Sequence, residues 1–167
     1  MTRNRFFIAA ACIWLLVVQH ASAQSVTGAG IGPVIGVGQG QGQGTPQGNL
    51  TASARFDDDG VPTGTVRIRL PGFAQATVDV NCLHIDGNIA IVGGPIRAGT
   101  SFDPALNFLY LIIEDNGPSV QGEPVDRVLA FATNFDACDA TDIFLFLFRL
   151  INPDPMSHGN YAVSEEI

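Results

Sequence analysis

The chain of 167 residues contains no lysine; all eight of its basic residues are arginine. That absence excludes a phosphate loop of the Gly-x-x-x-x-Gly-Lys type and any Schiff-base chemistry, since both need the lysine amine. Aromatic residues are sparse as well. The one tryptophan, Trp14, sits close to the N-terminus, so stacking platforms would have to come from Tyr110, Tyr161 or phenylalanines, which are usually core. The N-terminal apolar run, Phe6 to Val18, has 13 residues and falls short of the roughly 20 that a spanning helix requires.

That run has the flanks of an export signal. Arg3 and Arg5 precede it, and the small residues Ala21-Ser22-Ala23 follow it, so residues 1–23 read as a signal peptide cleaved after Ala23. The mature chain is then expected to be secreted or to reside in the periplasm or cell envelope, with no membrane span after cleavage. It carries six Arg against sixteen Asp and Glu, a formal charge of −10. Such a surface repels phosphate backbones, which argues against nucleic acid as a partner, and it disfavours anionic lipid.

Residues 24–48 form a Gly/Gln-rich N-terminal segment with glycine at nearly every second position from Gly28 to Gly44. It lacks the Gly-x-Gly-x-x-Gly spacing of a nucleotide fingerprint and reads as loop or linker, with Ser25 to Thr27 able to pair as an edge strand. Residues 49–167 change character. Leu50, Ala52, Ala54 and Phe56 alternate with polar or small neighbours, as do Val66, Ile68 and Leu70, the period of a half-buried strand. Turn formers such as "DDDGVPTG", "DGN" and "EDNGPSVQGEP" separate further strand-like runs. The run Ile143 to Ile151, apolar at nearly every position, reads as a strand covered on both faces. No segment displays a clear helical stripe. The expected fold is all-β, a single antiparallel sandwich or small barrel of about seven to nine short strands.

Cys82, His84 and Asp86 stand at alternate positions and would share one face of a strand. Regular alternation from Val78 and Val80 would make it the core face, but Leu83 and Ile85 then fall opposite, which implies a slip near Leu83 at a bulge. After signal cleavage Cys82 and Cys138 remain, and an even pair in an exported domain is expected to form a disulfide; two free buried thiols are the alternative. A disulfide occupies the thiolate that a zinc site would need, so no metal or cofactor is assigned. No Gly-x-Ser-x-Gly elbow accompanies His84 or His158, so no catalytic set is assigned either. The acidic groups Asp57–Asp59, Glu114–Asn116 and Asp136/Asp139/Asp142 have a calcium-loop composition without its twelve-residue pattern, and the same residues serve plain turns. Asn49-Leu50-Thr51 is a glycosylation sequon.

The stretches "VTGAG" (26–30), "CLHIDGNIAIVGG" (82–94), "EDNG" (114–117), Asp126, Cys138 and "GNYAV" (159–163) together resemble a group of secreted bacterial β-domains without assigned activity. Their pattern runs V-T-G-x-G, C-L-x-V-x-G-N-x-A-x-V-G-G, D-N-G, a second Cys and a closing G-N strand. The resemblance implies export, a β-fold and pairing of Cys82 with Cys138, and it supplies no catalytic residue. The expected function is an exported, non-catalytic binding or structural module with a protein or small apolar ligand as partner. The alternatives are a small barrel carrying an apolar molecule, and a barrel enzyme using His84 with Asp79 or Asp86.

Overall fold

The computed structural model describes residues 24–35, 46–72, 74–100, 105–117, 125–156 and 158–165. Residues 1–23, the expected signal peptide, and residues 36–45 of the Gly/Gln run lie outside the described residues. The strands are β1 Gln24–Ile35, β2 Gln47–Phe56, β3 Pro62–Leu70, β4 Ala74–Asp79, β5 Cys82–Asp86, β6 Ile89–Thr100, β7 Phe108–Glu114, β8 Arg127–Thr133 and β9 Gly159–Glu165. A 3-10 turn at Cys138–Ala140 leads into one helix, α1, Thr141–Ile151. Strands pair in the order β2-β3-β4-β6-β7-β8-β1, and β1 pairs back onto β2, closing a seven-stranded barrel with β5 and β9 as additional strands. Of the two architectures open from sequence, the chain makes the barrel.

Alternation sets the interior. Leu50, Ala52 and Ala54 of β2, Val66, Ile68 and Leu70 of β3, and Leu109, Leu111 and Ile113 of β7 belong to one buried cluster. Strand β1 joins it in a way that its composition hides. Its inward positions run Val26, Gly28, Gly30, Gly32, Val34, and the three glycines leave room for larger neighbours: a Cβ on Gly28 would meet the Tyr161 ring, on Gly30 the Met156 sulfur, on Gly32 a Val128 methyl. The edge strand expected at Ser25–Thr27 is therefore the start of a 12-residue barrel strand.

Along one side β1 has two neighbours in succession. Its first half pairs antiparallel with β9, from Gln24↔Glu165 to Gly30↔Gly159, and its end pairs parallel with β8 at Val34↔Ala130 and Ile35↔Phe131. Two carboxylates mend the seam between β9 and the rest of the wall. Buried Asp126 accepts from the Tyr161 amide (2.6 Å) and the Asn116 amide (2.9 Å), and Asp115 accepts from the Val163 amide (2.8 Å). Side-chain acceptors replace the missing strand, so the amides stay paired.

The slip expected near Leu83 lies just upstream, at Val80–Asn81, between β4 and β5. Both strands pair antiparallel with β6; the register shifts by one residue within β4, between Thr77↔Ala98 and Val78↔Ile96, and shifts back between Val78↔Ile96 and Cys82↔Gly93. Val78, Val80, Leu83 and Ile85 consequently all join the interior cluster. Cys82, His84 and Asp86 face outward, which corrects the core-face assignment. Cys82 is nonetheless fully buried, because something covers the outside of this wall.

The cover is α1, and here the structure overturns the expected strand at Ile143–Ile151. On the outer surface of β6, β7 and β8 sit Ile89, Ile91, Tyr110, Ile112, Leu129 and Phe131, too apolar to face water. Leu145 and Phe148 of the helix are buried against them, with Phe144 half-buried alongside. Burial of this second, outer core outweighs the β-propensity of Phe and Ile.

Candidate functional site

The described residues hold no helix long and apolar enough to cross a membrane, and no group of three His, Cys, Asp or Glu side chains able to hold a metal ion. Two carboxylates of the acidic loops close local turns. Asp57 Oδ1 accepts from the amides of Asp59 and Val61, and Asp115 Oδ1 from the amide of Gly117. His84 is half-buried on the outer face of β5, opposite Ile91, with no hydrogen-bond partner among the described residues. Neither Asp79 nor Asp86 serves it: Asp79 pairs with Arg97 at 3.1 Å, and Asp86 lies 3.8 Å from Arg149. His158 is exposed in the segment before β9.

The anomalous surface is that of α1, and its anchoring begins at the cysteines. Cys82 and Cys138 stand at disulfide distance, S–S 2.09 Å and Cα–Cα 5.5 Å, tying the start of the 3-10 turn to the barrel wall. Beside the bridge the Tyr110 hydroxyl donates to Asp136 Oδ1 (2.6 Å) and accepts from the Ala137 amide (2.9 Å), while the Cys138 amide donates to the same Asp136 oxygen (3.0 Å). Tyr110 gains this reach by lying across Gly93, where a Cβ would come within 2.5 Å of its ring. Burial, reinforced by the bond to Asp136, pushes the Tyr110 hydroxyl far above the ordinary tyrosine range. The same bond, together with the Cys138 amide, holds Asp136 below its ordinary value.

Aromatic packing continues the anchor. Tyr110 stacks on Phe131 with centroids 5.5 Å apart, and Phe131 stacks on Phe144 of the helix at 4.4 Å. At the far end Asn152 adopts a left-handed conformation (φ 46°), and its amide closes the last turn on the Phe148 carbonyl. Its side-chain oxygen accepts from Arg127 at 3.0 Å. Both ends of α1 are thus fixed to the barrel.

The outward face of this fixed helix is apolar too. Ile143 (61% exposed), Phe146 (64%), Leu147 (36%), Leu150 (69%) and Ile151 (47%) fall at i, i+3, i+4, i+7 and i+8, one continuous stripe. Five side chains, each about half exposed, present apolar surface on the order of 500 Å², near the upper limit for the largest patch on a monomer. Past the helix C-terminus lies an open groove of mixed character, where Ile31, Ile35, Leu129 and Ile151 stand beside Gln47, Asn152 and Asp154. In the strand expected from sequence, covered on both faces, these residues would be buried, so that expectation hides them as a surface. The signal was present: β6, β7 and β8 are apolar on both faces, which demands an external cover, and Ile143–Ile151 was the apolar run left to supply it.

A second open concavity, on the outside of β2, β3 and β4, is lined by Asn49, Thr51, Arg67, Arg69, Gln75 and Thr77. These are the outward positions of regular strands, and nearly all of them are exposed, as the solvated side of a barrel wall should be. No family model, no curated protein and no solved structure matches the chain.

Proposed function

We propose that this protein is an exported, disulfide-locked β-barrel without catalytic function, a binding or structural module of the cell envelope or extracellular space that makes contact through the outer face of α1. The observation that carries the reading is the stripe Ile143, Phe146, Leu147, Leu150, Ile151, exposed on a helix held at both ends. Fixing an apolar face before contact lowers the ordering cost of binding. The export signal at 1–23, the acidic mature chain and the likeness to secreted β-domains belong to the same proposal. Side chains converging on one interior cluster favour a solid barrel over a carrier of an apolar molecule, which needs interior space. The outward, unpartnered His84 favours a non-catalytic module over an enzyme.

Two measurements test this. The chain recovered outside the cytoplasm should begin at Gln24 and resist alkylation until reduced. Measured at a dilution where wild type is monomeric, so that self-association adds nothing to stability, the double variant Phe146→Ser, Leu150→Ser should keep or raise the midpoint of thermal unfolding, whereas Leu145→Ala on the opposite side of the helix should cost about 2–5 kcal/mol. A double variant as unstable as Leu145→Ala would make the stripe a part of the fold and end the contact reading.

A further inference from the structure

We infer that the partner of this face is a second copy of the same chain, its α1 packed antiparallel across a two-fold axis. The inference rests on the contact reading above and names its occupant. Charge placement is the first argument. Asp142 and Arg149 are seven residues apart, so they lie on the same flank of the helix, one near each end of the stripe. A two-fold axis across the middle of α1 sets flank against like flank and N-terminal end against C-terminal end. Asp142 then meets the partner's Arg149, and Arg149 meets the partner's Asp142. Parallel packing would instead set this flank against the one that carries Leu147 and Ile151, where no charge answers it.

Area is the second argument. A standard interface buries about 800 Å² per partner, and the homodimeric kind is about 65% apolar. The apolar share is therefore about 520 Å² per partner, close to what the stripe presents. Near the axis Phe146 would pack on its own symmetry mate, and the arrangement closes as a dimer without leaving a face to polymerise.

β9, one of the two strands outside the closed barrel, offers little edge to a second molecule. The amides that it would offer to a strand from another molecule are already taken: Tyr161 by Asp126 and Val163 by Asp115. Pairing of two copies through the middle of this edge is blocked.

Sedimentation equilibrium of the oxidised chain 24–167 tests the inference. Wild type should be a dimer at micromolar concentration, and Phe146→Asp should weaken association at least about 100-fold, with Leu150→Ser as a milder second variant. Asp142→Arg and Arg149→Asp should each weaken it about 10-fold, and the double reversal should return to within about 3-fold of wild type. These charge variants are carried in an Asp86→Asn background, so that reversal at 149 meets no carboxylate within its own chain. A wild-type monomer at about 100 µM, or a dimer indifferent to Phe146→Asp, overturns the second copy as occupant. A double reversal no tighter than its parents overturns the antiparallel arrangement. If the chain is monomeric while Phe146→Ser, Leu150→Ser remains fully stable, the contact reading stands and this inference alone fails.

Discussion

At the scale of single residues, a few polar groups inside or between the two cores carry large consequences. Tyr110 and Tyr161 are both fully buried. Burial holds both hydroxyls protonated far past their ordinary value of 10.0, helped at Tyr110 by the bond to Asp136 and at Tyr161 by the charge of Asp126. The folded chain keeps two protons that the unfolded chain releases near pH 10, so their stabilisation is complete below that pH and is lost as pH rises above it. Between pH 10 and 12 the unfolding constant should grow about 100-fold per pH unit from these two groups, and about 10-fold in Tyr161→Phe; urea midpoints across that window provide the check. Asp136 works in the opposite direction. Its folded value is lowered, so its contribution is present at neutral pH and fades as pH falls below 3.8, the ordinary value. Asp126 shows what an unsatisfied seam would cost. Asp126→Ala strands the buried amide of Tyr161 and the half-buried amide of Asn116 and should destabilise by about 2–4 kcal/mol in denaturant titration, more than an exposed carboxylate such as Asp58 would.

At the scale of elements, the strands whose inward positions carry Leu, Val and Ile were legible, because alternation survives in their composition. β2, β3 and β9 fall where the sequence placed them. β1 was illegible beyond Thr27 because its inward side chains are replaced by space: period two is present, but it is written in glycine, which period analysis scores as loop. The helix was illegible for the opposite reason. A run apolar on every face carries no period, and only the need to cover β6, β7 and β8 from outside decides its shape. The β1 glycines make a separate expectation. A methyl on Gly28 (φ 156°) would lie 2.4 Å from the Asn160 carbonyl oxygen and 2.6 Å from the Tyr161 ring, so Gly28→Ala should push β9 off the wall. Hydrogen exchange should then accelerate at Tyr161 and Val163 while β3 and β4 amides keep their protection. Equal acceleration throughout would mean that β9 and the barrel unfold as one unit.

At the scale of the whole molecule, two cores share one wall. The inner core is held by a ladder that closes on itself, and its strands need nothing from α1 to complete their hydrogen bonds. The outer core is different: α1 reaches it through a segment whose described residues between Thr133 and Gly159 contribute no strand, fixed by the Cys82–Cys138 bridge, the Tyr110–Asp136 bond and the ring stack. The cysteines are 56 residues apart, so their bridge should contribute about 4 kcal/mol by restricting the unfolded chain. That benefit belongs to global unfolding, yet the bridge also decides where α1 sits. Reduction should therefore act on the two cores unequally. Under mild reductant, amides of residues 141–151 should exchange faster and binding of an apolar dye to the exposed outer wall should rise, while the β2–β3–β4 ladder stays protected. Cys138→Ser should reproduce this without reductant. If instead barrel and helix amides lose protection together on reduction, the bridge is holding one cooperative unit, and the division into two cores is wrong.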